Sequence, residues 1–319
     1  MSTSTDTVTH PRVASLLPAA TEIVCALGYG GQLVGVSHEC DFPPGVEKKP
    51  VMTRSKVIQR ESSGAIDRDV RQVLRDALGV YDLELEALRR AAPDVIVTQD
   101  LCDVCAVSFE EVQRAANELL PGAKLVNLAP TRLDDLWKNL RQVAEAFGVP
   151  ERAEGLIDQL ASRLADISHR AKHLARRPHV LSIEWIDPVM IGGMWMPELI
   201  EIVGGRPLVT HAGDHAPTLT HEELRALDPA PDVVLIKPCG FSLERSLMEL
   251  ETLRDLIEEM PWPAKNDGDV FLADGNAYFN RPGPRLVESA ELLAAVVHPF
   301  DFMDFGAKHA DSFVRVARR

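Results

Sequence analysis

Four of the five cysteines follow apolar runs that have the composition of β-strands. Cys102 and Cys105 form a Cys-x-x-Cys pair in "QDLCDVCAVS", directly after "DVIVT". Cys40 follows "LVGVS", with His38 beside it, and Cys239 follows "DVVLIKP". If these runs are parallel strands, the side chains lie just past strand carboxyl ends, where open α/β sheets bind ligands. We therefore expect these cysteines to converge as reduced thiols on a binding cleft.

Three roles are open for this group of thiols. A Cys-x-x-Cys pair between a strand and a helix can be a redox couple, because a helix N-terminus lowers the pKa of one thiol. The same pair, with Cys40, Cys239 and His38, could hold a soft metal or the metal centre of a ligand. A structural zinc site is less well matched, since no second Cys pair is present. The remaining possibility is that the cysteines are small side chains lining a pocket.

The elements that position these residues alternate between short apolar runs and segments of helical period. This alternation predicts parallel strands with helices on both faces. Residues 151–175 have the pattern of one long helix, after which the alternation starts again. The predicted fold is α/β, with two Rossmann-like parallel-sheet lobes joined by a single long helix. The predicted divisions are a disordered N-terminus at 1–11, an N-terminal lobe at 12–150, the linking helix at 151–175, a C-terminal lobe at 176–300 and a C-terminal tail at 301–319.

Charge and composition exclude several classes of function. The chain has 319 residues, with 48 acidic against 34 basic side chains and a formal net charge of −14, which opposes binding to nucleic acid. Motifs of common enzymes, such as a phosphate-binding loop or a Gly-x-Ser-x-Gly elbow, are missing, so a binding protein rather than an enzyme is predicted. We expect a monomer that binds a small molecule.

The first residues indicate where the protein acts. The N-terminus has no Lys or Arg before Arg12, and Pro18 and Glu22 interrupt its apolar stretch, so it resembles neither a secretory signal nor a membrane-spanning helix. A cytoplasmic protein without membrane insertion is predicted from the sequence as it stands. A periplasmic or cell-surface location is the alternative, if the start site is misassigned.

Three segments resemble one family. The opening "RVASLLPAATEIVCALGYGGQLVGVSHECDFPP", the segment "IEWIDPVMIGGMWMPELIEIVGG" and the segment "AYFNRPGPR" are similar to the vitamin B12 and ferric-siderophore substrate-binding proteins of ATP-binding-cassette (ABC) importers. Together the segments span residues 12–298. The resemblance implies a two-lobed, helix-linked fold, and the last segment implies cobalamin or a related corrinoid as the ligand. The segment "TRSKVIQRESSGAIDRDVRQVLRDALGVY" is an insertion that we expect to lengthen the first lobe.

The resemblance also implies a site and a partner. In "GGMWM", Met194 and Trp195 offer a flat apolar surface for a macrocycle, although a core cluster of the lobe fits equally well. The other predicted ligand-binding residues supply an aromatic face and polar donors: Tyr278, Phe279, Asn280, Arg281 and Arg285. The family presents one glutamate per lobe to a membrane permease, and Glu86 and Glu222 are the matching positions. A cytoplasmic thiol-dependent metal or redox protein and a ferric-siderophore receptor remain alternatives.

Overall fold

The computed structural model describes residues 10–57, 62–75, 80–99, 108–267 and 269–316. Cys102 and Cys105 lie outside the described residues, as does most of the segment 1–11 predicted to be disordered. The chain forms two compact units. The first unit contains residues 1–56, 73–129 and 138–156, and the second contains 57–72, 130–137 and 157–319.

The first unit is built on a parallel sheet of apolar strands. Its strands are β1 (Val13–Ser15), β2 (Leu33–Val36), β3 (Thr53–Ser55), β4 (Tyr81–Leu83), β5 (Val95–Gln99) and β6 (Lys124–Leu128). The order in the main sheet is β2-β1-β5-β6 with every pair parallel, and β3 and β4 form a separate antiparallel ribbon. Because β1 and β2 are parallel neighbours, the residues that follow them meet at one edge of the sheet.

The helices from the N-terminus to the end of the long helix follow from apolar periodicity, and four of them have Pro or Ser at their starts. They are α1 (Pro18–Ala26), α2 (Ser63–Arg75), α3 (Leu85–Ala91), α4 (Phe109–Leu119), α5 (Leu133–Phe147) and α6 (Pro150–Lys172). Pro18 occupies the first turn of α1, where a missing N–H costs nothing. The helix α6 is the long helix predicted at 151–175, and the units divide within it at residues 156 and 157.

The second unit contains a mixed sheet with a parallel centre. Its strands are β7 (His179–Trp185), β8 (Met190–Ile191), β9 (Arg206–Pro207), β10 (Val233–Ile236), β11 (Val270–Ala273) and β12 (Phe313–Arg315). The order is β12-β11-β10-β7-β8, with β9 beside β7, and β11, β10 and β7 are parallel. Its helices are α7 (Met196–Ile202), α8 (His221–Arg225), α9 (Leu243–Leu247), α10 (Leu250–Glu258), α11 (Pro263–Asp267), α12 (Leu286–Val297) and α13 (Met303–Lys308). The predicted α/β class with parallel-sheet lobes and a long connecting helix is confirmed.

The C-terminal residues correct the predicted division at residue 300. Strand β12 pairs antiparallel with β11. Phe302 is fully buried, and helix α13 lies between Phe302 and β12 in the chain. Residues up to 316 therefore belong to the second unit rather than to a tail. The sequence signal is weak here because β12 has only three residues and depends on a partner strand for its hydrogen bonds.

The insertion between β3 and β4 corrects a second expectation. Its residues 62–72, which include most of α2, cluster with the second unit rather than lengthening the first. Ser63 at the start of α2 donates from its backbone N to Glu249 Oε1 (2.6 Å) and from its Oγ to Oε2 (3.2 Å). Both residues are buried, and Arg245 also pairs with Glu249 at 3.2 Å. These buried contacts join residues that are far apart in the sequence, and they hold the insertion against the second unit.

Replacing Glu249 by Ala tests this contact. The variant leaves the buried N–H and hydroxyl of Ser63 without their acceptor, so we expect the free energy of unfolding to fall by about 2–3 kcal/mol. All four tryptophans, at positions 137, 185, 195 and 262, lie in the second unit, so urea unfolding followed by their fluorescence measures this effect. Glu251→Ala is the control, because Glu251 is exposed in α10, the helix that begins directly after Glu249. Equal stability of the two variants would contradict the prediction.

In the described part of the chain, no helix is both long enough and apolar enough to cross a membrane.

Candidate ligand-binding site

In the first unit, the residues after β2 form a hydrogen-bonded group around Thr53. Thr53 Oγ1 donates to Ser37 Oγ at 3.0 Å and accepts from the backbone N of His38 at 3.1 Å. The ring Nδ1 of His38 lies 2.8 Å from the same oxygen. Thr53 and Ser37 are buried, whereas His38 is exposed on the carboxyl edge of the sheet. The predicted residue His38 is therefore held by a buried hydroxyl at the edge where a ligand would bind.

A second contact fixes the surroundings of His38. Its ring lies against the ring of Tyr81, with centroids 5.1 Å apart, and the Tyr81 hydroxyl donates to Glu39 Oε1 at 2.8 Å. Partial burial lowers the pKa of His38, although the nearby Glu39 carboxylate acts in the opposite direction. The imidazole is therefore favoured in its neutral form, in which one ring nitrogen carries a lone pair.

The thiol of Cys40 contacts a different hydroxyl from the one that contacts His38. Cys40 is buried, and its Sγ lies 3.1 Å from Thr21 Oγ1, which donates to Ser15 Oγ at 2.8 Å. Cys40 and His38 thus follow the same strand, but their side chains contact different hydroxyl groups. Within the described part of the protein, no group of three or more His, Cys, Asp or Glu side chains is placed to hold a metal ion.

Cys239 follows β10 in the second unit, as predicted, and is exposed. Its backbone N donates to Glu184 O at 2.9 Å, which ties the ends of β10 and β7 together. The predicted convergence of four thiols depends on Cys102 and Cys105, which fall in the undescribed segment 100–107. That convergence stays a prediction.

A buried lysine organises the carboxyl edge of the second unit. Lys237, at the end of β10, has a side chain that is 0% exposed, and its Nζ donates to Glu184 Oε2 (3.1 Å) and to Asn280 Oδ1 (2.9 Å). Asn280 in turn donates from Nδ2 to the backbone oxygens of Lys237 and Gly275. A Cβ at Gly275 would collide with the carbonyl oxygens of Lys237 and Pro238, so only glycine allows this close approach. Asn280 is thereby fixed at the edge of the sheet.

Arg281 is the next residue of the same loop. It is buried, and its Nη2 donates to Asn276 Oδ1 at 2.8 Å, while Asn276 N donates to Phe241 O. The carboxylate of Asp274 accepts from Ala277 N at 2.7 Å and closes the start of the loop. Burial raises the pKa of Asp274, against the effect of its backbone hydrogen bonds. The loop thus holds Arg281 in a preorganised position.

Two predicted aromatic contacts lie in the interior of the second unit instead of on its surface. Phe279 is 1% exposed and Trp195 is 6% exposed, and the indole Nε1 of Trp195 donates to Phe279 O at 2.7 Å. Phe279 (φ +66°) and the neighbouring predicted residue Met194 (φ +54°) have left-handed backbone conformations that are rare for such side chains. The burial of Trp195 favours the core cluster that the sequence left open, and the predicted contact of these residues with a ligand stays a prediction.

Tyr278 and Arg285 are also engaged with neighbouring residues of the second unit. The guanidinium of Arg285 lies 4.8 Å from the centroid of the Tyr278 ring and pairs with Glu288 at 3.2 Å. Tyr278 also makes an edge contact with the ring of His309. These contacts join the loop to the start of α12 and to the C-terminal segment. Of the predicted loop residues, Asn280 and Arg281 are the ones that this geometry brings together at the end of β10.

The sequence reasoning missed Trp185, the last residue of β7. Trp185 is half-buried, its ring packs against Phe241 with centroids 5.2 Å apart, and its Nε1 donates to Asp187 O at 3.1 Å. The guanidinium of Arg245 lies 4.1 Å from the Phe241 centroid on the same cluster. The argument that placed the cysteines at strand ends applies equally to Trp185 and could have identified it.

The two predicted permease-docking glutamates are exposed in the first turns of short helices, one in each unit. Glu86, in α3, is 70% exposed and pairs with Arg89 at 2.9 Å, and this hydrogen bond lowers the pKa of Glu86. Glu222, in α8, lies within a capping box formed by Thr220 and Glu223. Acidic residues at such positions are also favoured by the helix dipole, so exposure alone does not assign their role.

The sequence of residues 13–275 matches the family of periplasmic binding proteins. The chain therefore belongs to this family, which confirms the resemblance found in its motifs. Fold and family define the class: a substrate-binding protein of ABC importers. Members of the class bind substrates rather than transform them and are normally found outside the cytoplasm.

Individual relatives cover nearly the whole chain. The vitamin B12-binding protein of Pectobacterium atrosepticum is 28% identical over 292 residues, which are 89% of this chain and 87% of the relative. That of Photorhabdus laumondii is 22% identical over 88% of this chain and 86% of the relative. The solved structure of the periplasmic heme-binding protein RhuT from Roseiflexus sp. RS-1 has a TM-score of 0.67 at 22% identity, covering 93% of this chain and 99% of that one. For the vitamin B12-binding protein BtuF of Vibrio cholerae the TM-score is 0.63 at 18% identity, with 90% and 96% covered.

Proposed function

We propose that the protein binds cobalamin or a related corrinoid and delivers it to an ABC permease. The observation that carries the proposal is the carboxyl edge of the second unit, where Lys237 and Gly275 fix Asn280 beside the buried Arg281. Both Nδ2 protons of Asn280 are donated to backbone oxygens, so its Oδ1 can accept from an amide N–H of cobalamin, whereas a guanidinium suits the phosphate and amide oxygens of the same ligand. Two sequence relatives that match this chain over most of their length are named vitamin B12-binding proteins, which supports the same ligand.

The other side chains at the strand ends fit a large planar ligand. Trp185 is half-buried at the end of β7, and His38 and Tyr81 lie together at the carboxyl edge of the first unit. Aromatic surfaces of this kind contact the faces and edges of a macrocycle. We propose Trp185, Asn280 and Arg281 as the ligand contacts of the second unit.

Isothermal titration with cyanocobalamin, aquocobalamin, ferric protoporphyrin IX and a ferric siderophore tests the ligand. We expect one corrinoid per chain and weaker or no binding of the siderophore. Binding of protoporphyrin alone would identify heme as the ligand instead of a corrinoid. Binding of the siderophore alone would identify the protein as a ferric-siderophore receptor. If none of the four binds at concentrations well above micromolar, the proposal fails.

The thiol-dependent alternative has less support from the described residues. The Cys40 thiol is buried and lies 3.1 Å from Thr21 Oγ1, whereas His38 is exposed and contacts Thr53. A metal analysis of the purified protein, made before any ligand is added, separates the two functions. Stoichiometric zinc or iron that is lost on replacing Cys102 and Cys105 by Ser would favour the alternative.

For the permease partner we propose Glu86 and Glu222 as docking residues. Because both carboxylates are exposed, reversing their charge by Glu86→Lys and Glu222→Lys places cations opposite the arginines expected on the permease. We expect the double variant to bind ligand with unchanged affinity but to support at least tenfold slower uptake in proteoliposomes that contain the permease. Glu47→Lys and Glu201→Lys, also exposed and one in each unit, form the control pair. Uptake equal to that of the control pair would remove both residues from the docking surface.

A further inference from the structure

The hydrogen bonds of Thr53 decide which ring nitrogen of His38 carries a proton. A threonine hydroxyl has one proton and two lone pairs. Its proton is directed at Ser37 Oγ (3.0 Å), and one lone pair accepts from the backbone N of His38 (3.1 Å). The contact of 2.8 Å with His38 Nδ1 must therefore use the second lone pair, with Nδ1 as the donor. The neutral imidazole then has its lone pair on Nε2.

This arrangement is the one found behind metal-binding histidines. An imidazole that ligates through one nitrogen donates its other N–H to a fixed acceptor, which holds the tautomer and the ring orientation and makes the ligating nitrogen more basic. Thr53 is buried and serves as that acceptor. Among the described residues, no hydrogen-bond partner lies at His38 Nε2, and the ring packs on Tyr81 while staying exposed to solvent.

We propose that His38 Nε2 is an axial ligand of the metal in a bound metallated tetrapyrrole that has an exchangeable axial position. The inference rests on the proposed function and names its chemistry more closely: corrinoid cobalt or porphyrin iron. In the binding step, water leaves the axial position of the metal and the Nε2 lone pair forms the new bond. The metal keeps its oxidation state, and the proton stays on Nδ1. Cys40 does not take this place, because its thiol is buried on Thr21.

The test uses the full chain labelled with ¹⁵N-histidine. Aquocobalamin and ferric protoporphyrin IX are the two probes, and cyanocobalamin, in which cyanide occupies the axial position, is the blocked probe. Titration calorimetry counts bound ligand, while ¹⁵N resonance shifts, absorption and electron paramagnetic resonance report nitrogen coordination. We expect nitrogen coordination in the wild type with at least one exchangeable probe, and none with cyanocobalamin. Coordination of aquocobalamin alone assigns cobalt, and coordination of protoporphyrin alone assigns iron.

Three variants separate ligation from a structural role. His38→Ala should still bind one ligand per chain but lose the coordination signature, with affinity at least tenfold lower, and added imidazole should restore the signature. Thr53→Val keeps the imidazole but removes the acceptor, so we expect weaker coordination with an unfixed tautomer. His211→Ala changes an exposed histidine of the second unit and should leave the signature intact.

The outcomes distinguish this inference from the proposed function. If the wild type binds a probe without nitrogen coordination, or if His38→Ala keeps the signature, the axial-ligand inference is wrong while the binding function stands. If the wild type binds none of the three probes, the proposed function and the inference fail together.

Discussion

Replacing Glu291 by Gln should lower the free energy of unfolding by about 3 kcal/mol at pH 7, and the loss should shrink as the pH falls. Glu291 is 6% exposed in the middle of α12, where three partners contact its carboxylate. They are Arg163 of α6 at 2.6 Å, Lys308 of α13 at 2.5 Å and His309 at 3.0 Å. Glu291 and His309 are buried, whereas Arg163 and Lys308 are partly exposed. Removing the carboxylate therefore leaves a buried partner uncompensated, which is the costly case.

The pH dependence follows from the pKa of the carboxyl group. Burial alone would raise the pKa of Glu291, but hydrogen bonds from His309, Lys308 and Arg163 outweigh burial and lower it from 4.5 to about 2. A carboxyl group whose pKa is lower in the folded state stabilises the fold fully when the pH is above its pKa in the unfolded chain, near 4.5. This contribution is lost as the pH falls towards 2. The pKa difference corresponds to roughly 3 kcal/mol, of which about 2 kcal/mol should be gone at pH 3.

Urea unfolding at pH 7 and pH 3, followed by tryptophan fluorescence, measures both effects in the second unit. Glu259→Gln is the matched control, because Glu259 pairs with Arg225 at 2.7 Å but is 48% exposed. An exposed pair contributes at most about 1 kcal/mol. A constant difference between wild type and Glu291→Gln at the two pH values would show that Glu291 is not held ionised by its partners.

Replacing Lys237 by Met should reduce both stability and ligand affinity. Met fills nearly the same space without the ammonium group, so Glu184 loses its cation and Asn280 Oδ1 loses its donor. We expect a loss of about 2–4 kcal/mol in the free energy of unfolding, since polar groups of a buried cluster become unsatisfied. Because Asn280 is oriented by Lys237, we also expect the affinity for the proposed corrinoid to fall about tenfold, or roughly 1.4 kcal/mol.

A double variant separates the two effects. Adding Glu184→Gln to Lys237→Met removes the uncompensated carboxylate, so part of the stability should return, and the double-mutant cycle gives the coupling between the two groups. Affinity should stay low, since Asn280 still lacks its donor. Lys172→Met, at an exposed position of α6 in the same unit, is the control. Stability and affinity equal to those of the control would show that the cluster neither supports the sheet edge nor positions Asn280.

The sequence by itself determined the architecture of this protein. Apolar runs such as "DVVLI" and "DVIVT" form buried parallel strands because their side chains are apolar on both faces. The periodicity of residues 151–175 determined the long helix α6. The rule that parallel strands end at a common edge placed His38 and Cys239 at those edges. Three short motifs were enough to indicate the family. All of these inferences depend on local pattern, which a single sequence contains in full.

The tertiary structure alone decided which side chains at those edges are available to a ligand. The direction of a side chain beyond a strand depends on the backbone of its loop, and the left-handed conformation of Phe279 turns its ring into the core, where Trp195 donates to its carbonyl oxygen. Composition gave no sign that Lys237 is buried, because the side chains that compensate its charge, Glu184 and Asn280, are about 50 and 40 residues away in the chain. Contacts between residues far apart in sequence, such as Ser63 with Glu249, likewise have no local pattern. Burial and hydrogen bonding across such separations are properties of the folded chain, and they give the edges predicted from the sequence the geometry of a candidate site.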